Sequence, residues 1–129
     1  MHTIQIFVES RYKVNRKKIK KAIAEVLIEY GIQTPVEVSV AVVGDRKMTY
    51  LNETYRQKKG TTNVLSFVTS EGEKLPEIEM DEAKNRLGDI ILSYPQVIRD
   101  AARDEMLVDD KVDELVQHSM LHLLGVHHE

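Results

Sequence analysis

Apolar residues recur along this chain with two periods, and the switches between them mark eight elements. Ile4, Ile6 and Val8 alternate with polar neighbours over residues 3–9, the period of a half-buried strand. Ile19, Ile23, Val26, Leu27 and Tyr30 then recur at helical spacing, with Asn15 placed as N-cap and Gly31 as stop. Val36, Val38, Val40, Val42 and Val43 predict a second strand, β-branched on both faces toward its end and therefore interior to a sheet. A helix capped by Asp45 is expected through Met48, Leu51, Asn52 and Tyr55, with Arg56 near its C-terminal end. Lys58, Lys59 and Gly60 make a basic turn, and residues 64–68 a short third strand.

Residues 70–86 are polar and acidic and contain Pro76, which predicts a mobile loop or a hairpin excursion. A fourth strand follows over 87–93, entered through Gly88-Asp89. Tyr94-Pro95 opens a helix through Val97, Ile98 and Ala101, with proline at a permitted first-turn position. The last helix runs from about Val108 through Val112, Leu115, Val116, Leu121 and Leu124. Asp109 and Asp110 stand in its first turn, where the helix dipole favours acids. The order β-α-β-α-β-β-α-α predicts an α+β fold, a mixed four-stranded sheet packed with helices. Its 129 residues are expected to form one domain over 1–129, long enough to bury a core without covalent staples.

Composition narrows this further. Without cysteine there are neither disulfides nor thiolate metal ligands, which suits a reducing compartment. No apolar run approaches the roughly 20 residues that span a bilayer, and the N-terminus lacks a signal-peptide pattern. The expectation is a cytoplasmic protein with no membrane partner. The net charge of −3 conceals an asymmetry. Residues 1–64 hold 12 Lys and Arg against 6 Asp and Glu, whereas residues 65–129 hold 6 against 15. Seven basic residues fall within 11–21 alone, Arg11, Lys13, Arg16, Lys17, Lys18, Lys20 and Lys21. Such a stripe suits a polyanion partner, and equally a solvated helix face.

The chemistry concentrates at the C-terminal end. His118 and His122 are four apart and share one face of a helix. Gly125 can take the left-handed conformation that ends a helix and turns the chain back, bringing His128 to the same point. Three imidazoles with one position open describe a catalytic zinc site on the C-terminal helix and following turn. The spacing also occurs in the metzincin proteases, where glutamate follows the first histidine as general base. Ser119 holds that position here and cannot serve as the base, so a protease is disfavoured.

Three separate stretches give the chain a more specific likeness. His118, Leu121, His122, Leu123, Gly125 and His128 match an ending His-Gly-x-Leu-His-Leu-x-Gly-Tyr-Asp-His. Upstream stand Leu51-Asn52-x-x-Tyr55-Arg56 with Thr62-Asn63-Val64-Leu65-Ser66-Phe67, then Leu87-Gly88-Asp89-Ile90-Ile91-Leu92-Ser93. In this order they resemble the YbeY family of metal-dependent endoribonucleases, which act in ribosomal RNA maturation and quality control. The resemblance implies His118, His122 and His128 as metal ligands, Arg56 as the basic residue required for activity, and RNA and ribosomal components as partners. One zinc ion per chain is the expected cofactor, although nickel, cobalt or copper also suit imidazoles.

A guanidinium can hold two phosphate oxygens in a fork, which fits Arg56 to a phosphodiester under attack. Lys58, Lys59, Arg11 and Lys17 are the residues expected to guide the RNA backbone. Asn63 and Ser66 either bind substrate or cap and turn; Asp89 either orients a ligand histidine or caps a strand end; Leu65 and Phe67 are expected in the core. Ser119 replaces the family's glycine, and Val126-His127 replaces Tyr-Asp, adding a histidine beside the third ligand. The chain stops at Glu129 where the family continues with a further helical segment, which raises a shortened C-terminus as an expectation. The leading function is a single-strand-specific endoribonuclease. A metal-stabilised RNA-binding module with weak catalysis, or a hydrolase of another substrate, are the alternatives.

Overall fold

A computed structural model describes residues 2–9, 11–72 and 85–126. The expected elements are present in the expected order: β1 (Thr3–Val8), α1 (Arg16–Glu29), β2 (Glu37–Val43), α2 (Asp45–Arg56), β3 (Val64–Val68), β4 (Arg86–Ser93), α3 (Tyr94–Arg103) and α4 (Val108–Leu123). A single turn of 3-10 helix, Thr69–Glu71, follows β3. Asn15 caps α1 as expected, its side chain accepting from the Lys18 amide at 3.0 Å. Asp45 does not cap α2. Gly44 takes the extended cap position, and Asp45 is the first helical residue. Its carboxylate instead accepts from Thr61 Oγ1, Ser93 Oγ and Gln96 Nε2, tying three other segments to the start of α2. Burial pushes the Asp45 pKa up, but those bonds and the nearby Arg99 outweigh it and hold the carboxyl below its ordinary value.

The strands lie in the order β1-β2-β4-β3. β1, β2 and β4 are mutually parallel, and β3 joins β4 antiparallel at one edge. The sheet is therefore mixed, as expected. Every residue of β2 is buried, which matches its valine-rich pattern. Strand alternation divides the core in two. Val38, Val40, Val42, Ile90, Leu92 and Val68 face α1, α4 and Val97 of α3. On the opposite face, Ala41, Val43, Leu65, Phe67 and Ile91 meet Met48 and Leu51 of α2. Each such large side chain stabilises the fold by about 1.5–3 kcal/mol relative to an exposed position.

One departure from the sequence reading concerns Arg86. It was expected in the polar segment, yet it opens β4 with its side chain only 7% exposed. The reason is a cross-strand partner: Glu37 stands opposite it on β2 and accepts at 3.0 Å. Arg86 also pairs with Asp89, which accepts from Ser39 as well. Glu37, Ser39 and Asp89 are all fully buried. Burial raises the Asp89 pKa above the usual carboxylate range, against the opposing pull of Ser39 and Arg86. The loop or excursion expected over 70–86 falls largely on residues 73–84, outside the described residues. Among the described residues no helix is long and apolar enough to cross a membrane.

Candidate metal and phosphate site

The apolar face of α4 sets the direction of its histidines. Val112, Val116, Ser119, Met120 and Leu123 are buried against the sheet and α1, so His118 and His122 turn outward and are exposed. Their rings meet edge-on with centroids 4.8 Å apart, and the two Nε2 atoms are separated by 3.2 Å. Two nitrogens of one tetrahedral ion at a Zn–N distance of about 2.0–2.1 Å would stand close to that separation. The separation of the two imidazole nitrogens therefore suits a zinc-like cation. Ser119, in the position of the protease base, is 1% exposed and points into the core.

Past the histidines the helix closes as its glycine predicts. Gly125 adopts φ +75°, the Gly125 amide donates to His122 O at 3.0 Å, and the Val126 amide donates to Leu121 O at 2.8 Å. These two bonds form a Schellman motif, which reverses the chain after the last turn. His127 and His128 lie outside the described residues, so the predicted third ligand and its added neighbour are not located. Among the described residues no third His, Cys, Asp or Glu joins the pair.

Arg56 ends α2 on the other side of the sheet. Its Nη2 donates to the Ser66 carbonyl at 2.6 Å, and its guanidinium carbon stands 4.5 Å from the centre of the Phe67 ring. Tyr55 meets the same ring edge-on at 5.7 Å. Phe67 thus serves as a platform and the outer edge of β3 as an anchor, fixing the plane of the guanidinium. The imidazoles belong to α4, in the opposite layer. α4 packs on β3, and Leu123, next to His122, closes over Gly88, the register partner of Val68. A side chain at Gly88 would overlap the Phe67 carbonyl and lie 2.6 Å from Leu123 Cδ2, so only glycine lets α4 sit this close.

The expected RNA-guiding residues divide into two groups. Lys58 and Lys59 are exposed in the turn directly after Arg56. That turn is held by Asn52 Nδ2 donating to Gly60 O at 2.9 Å and by the Gly60 amide donating to Glu53 at 3.0 Å. Arg11 and Lys17 lie elsewhere. α1 and α2 each run back from the C-terminal ends of parallel strands, so the start of α1 and the end of α2 occupy opposite ends of the sheet. Asn63 donates to Asp100 at 2.9 Å and its carbonyl receives the Ser93 amide, which makes it a turn residue. Asp89 bonds Ser39 and Arg86 on the face of the sheet away from α4, so it does not orient His118 or His122. Leu65 and Phe67 are buried as expected.

Two contributors to the site escaped sequence reading, the Ser66 carbonyl and the Phe67 ring as supports for Arg56. Neither has a local signal, because backbone acceptors carry none and a core phenylalanine looks like any other. The Glu37 cluster did leave one: Glu37 and Ser39 are polar residues two apart in a valine strand, which places both on one buried face.

Comparison with known proteins agrees with the architecture. A family profile described as endoribonuclease YbeY matches residues 5–129. The endoribonuclease YbeY of Desulforamulus reducens is 38% identical over 115 residues, covering 88% of this chain and 74% of that protein. That of Roseiflexus castenholzii is 31% identical over 126 residues, covering 98% and 78%. A Thermotoga maritima protein solved in solution superposes with a TM-score of 0.58 at 25% identity, covering 98% of this chain and 75% of its own.

Proposed function

Because the chain belongs to the YbeY endoribonuclease family, we propose that it is a zinc-dependent, single-strand-specific endoribonuclease acting on ribosomal RNA in the cytoplasm. In this reading His118, His122 and His128 hold one ion, and Arg56 grips the scissile phosphate. The observation that carries it is that Arg56 is bonded to β3 from one layer of the sheet while α4, the helix that bears the paired imidazoles, packs on β3 from the other. Zinc and ribosomal RNA as substrate are supported by the motif resemblance and by the spacing of the two imidazole nitrogens.

When bound, the ion supplies Lewis acidity and activates water near neutral pH. The protein's own residues supply the rest. His118 and His122 would hold the ion through imidazoles that are exposed where a strand of RNA can reach them. Arg56 presents a guanidinium whose plane is set in advance by Phe67 and Ser66, so little entropy is lost when it engages the non-bridging oxygens. Charge grows on those oxygens as the phosphodiester is attacked, and a fixed cation stabilises that charge more than it stabilises the ground state. Lys58 and Lys59 draw the flanking backbone toward the same end of the sheet.

The test is cleavage of a structured ribosomal RNA by purified, metal-analysed protein beside two variants. Arg56→Ala is expected to keep the metal and lose about 10²–10³ in rate, the scale of removing one charge-stabilising donor. His122→Ala is expected to lose both. Wild-type protein that holds one ion and leaves every RNA intact would refute the catalytic reading.

A further inference from the structure

We propose that the basic N-terminal half of α1, with the loop before it, is a second RNA-backbone binding surface, separate from the cleavage site. The inference rests on the endoribonuclease reading and adds a docking site to it. It starts from a mismatch between charge and helix dipole. α1 opens with Arg16, Lys17 and Lys18, continues with Lys20 and Lys21, has no acid in its first turn, and carries Glu25 and Glu29 toward its end. The positive end of a helix dipole disfavours cations and the negative end disfavours carboxylates. The helix is therefore charged opposite to what its own stability asks, while α4 follows the rule with Asp109 and Asp110 in its first turn.

Internal partners account for only part of the stripe. Lys18 pairs with Asp110, Lys21 stands 3.8 Å from Glu25, and Arg16 donates to Ile6 O. Among the described residues, Lys13, Lys17 and Lys20 have no acidic partner within 4.0 Å, and all three are exposed. None of the exposed large apolar side chains falls in residues 11–21, so the surface lacks the anchors of a protein interface or a membrane-inserting face. A polyanion backbone needs only closely spaced cations. Neighbours three or four apart on a helix supply these at about 5–6 Å.

The surface is also set apart from the histidines. Lys18 touches α4 at Asp110, and His118 lies eight residues further on, about 12 Å along the helix axis. Asp113 occupies the stretch between and repels a strand passing straight across, while Glu114 is paired with Lys111. A dinucleotide in the cleavage site has a single phosphodiester and does not bridge this gap, whereas a long folded RNA can engage both.

The experiment compares wild type with Lys17→Glu/Lys20→Glu, measuring fluorescence anisotropy on a ribosomal RNA fragment of several tens of nucleotides and on a labelled dinucleotide. The variant should bind the long RNA at least tenfold more weakly, with a log–log salt slope shallower by about two. Its dinucleotide affinity should change less than twofold. Its Tm should stay level or rise, since the new acids suit the helix dipole, and this separates lost binding from lost folding. Equal long-RNA affinity in the two proteins would overturn the proposal, and would leave an acidic protein as the occupant to examine. Equal losses on both RNAs would overturn the separation of the two surfaces. If the wild type binds neither RNA at low salt, the endoribonuclease reading fails, and the docking surface with it.

Discussion

At the scale of single residues, buried charge is the feature with the sharpest consequences. Arg86 stands between two fully buried carboxylates, Glu37 and Asp89, and one cation cannot balance two anions. The raised Asp89 pKa follows: burial disfavours its charged form, against the opposing pull of Ser39 and Arg86. Two substitutions should therefore differ widely. Arg86→Met strands the acids in the core and is expected to cost about 3–5 kcal/mol, the scale of breaking a buried pair. Asp89→Asn keeps a neutral hydrogen-bonding group and should cost less than about 1 kcal/mol near pH 7. The sign of the pH dependence is fixed too. An acid whose folded pKa is raised contributes stability that is present below its ordinary value of about 3.9 and is lost as pH rises through the folded value. The wild type's advantage over Asp89→Asn should thus shrink as pH climbs from about 4. Denaturant titrations at several pH values measure it, and a constant difference would contradict a raised pKa.

Elements place these residues, and α4 is the one whose seating matters most. Its histidine-bearing end rests where Leu123 closes over Gly88. Gly88→Ala should cost about 1–3 kcal/mol, the scale of overpacking, because the obstacle includes a backbone carbonyl that no rotamer change removes. It should also weaken metal uptake by lifting the end of α4, which titration with zinc would register; unchanged uptake would uncouple the two. The histidine pair was legible in the sequence because i,i+4 spacing and a terminating glycine are local facts, as were the strand and helix periods and the Asn15 cap. Asp45 was not, since its three donors come from positions 16 to 51 residues away. Arg86 read as loop for the same reason: its polarity is local, but the Glu37 that lets it be buried is 49 residues away. The support of Arg56 by β3 likewise required knowing that β3 is the edge strand and that α2 and α4 cover opposite faces.

Across the whole molecule, the proposed site draws on two layers that have separate cores. α2 with its apolar cluster brings Arg56, and α4 with the larger cluster brings the imidazoles. A cation held by the C-terminal end binds the folded state and not the unfolded one, so it adds RT ln(1 + [L]/Kd), about 4.1 kcal/mol at a thousandfold excess over Kd. His118 and His122 are exposed and contribute little packing, so truncating one should change the metal-free protein by no more than about 0.5 kcal/mol. Thermal melts should therefore show a zinc-dependent rise in Tm for the wild type. His122→Ala should melt with the wild type in chelator and lose the rise when zinc is added. Arg56→Ala should keep it, because Arg56 is bonded to β3 on the opposite face of the sheet from α4. A large loss of stability for His122→Ala in chelator would make His122 a structural residue of α4. An undiminished zinc response in that variant would place the ion elsewhere.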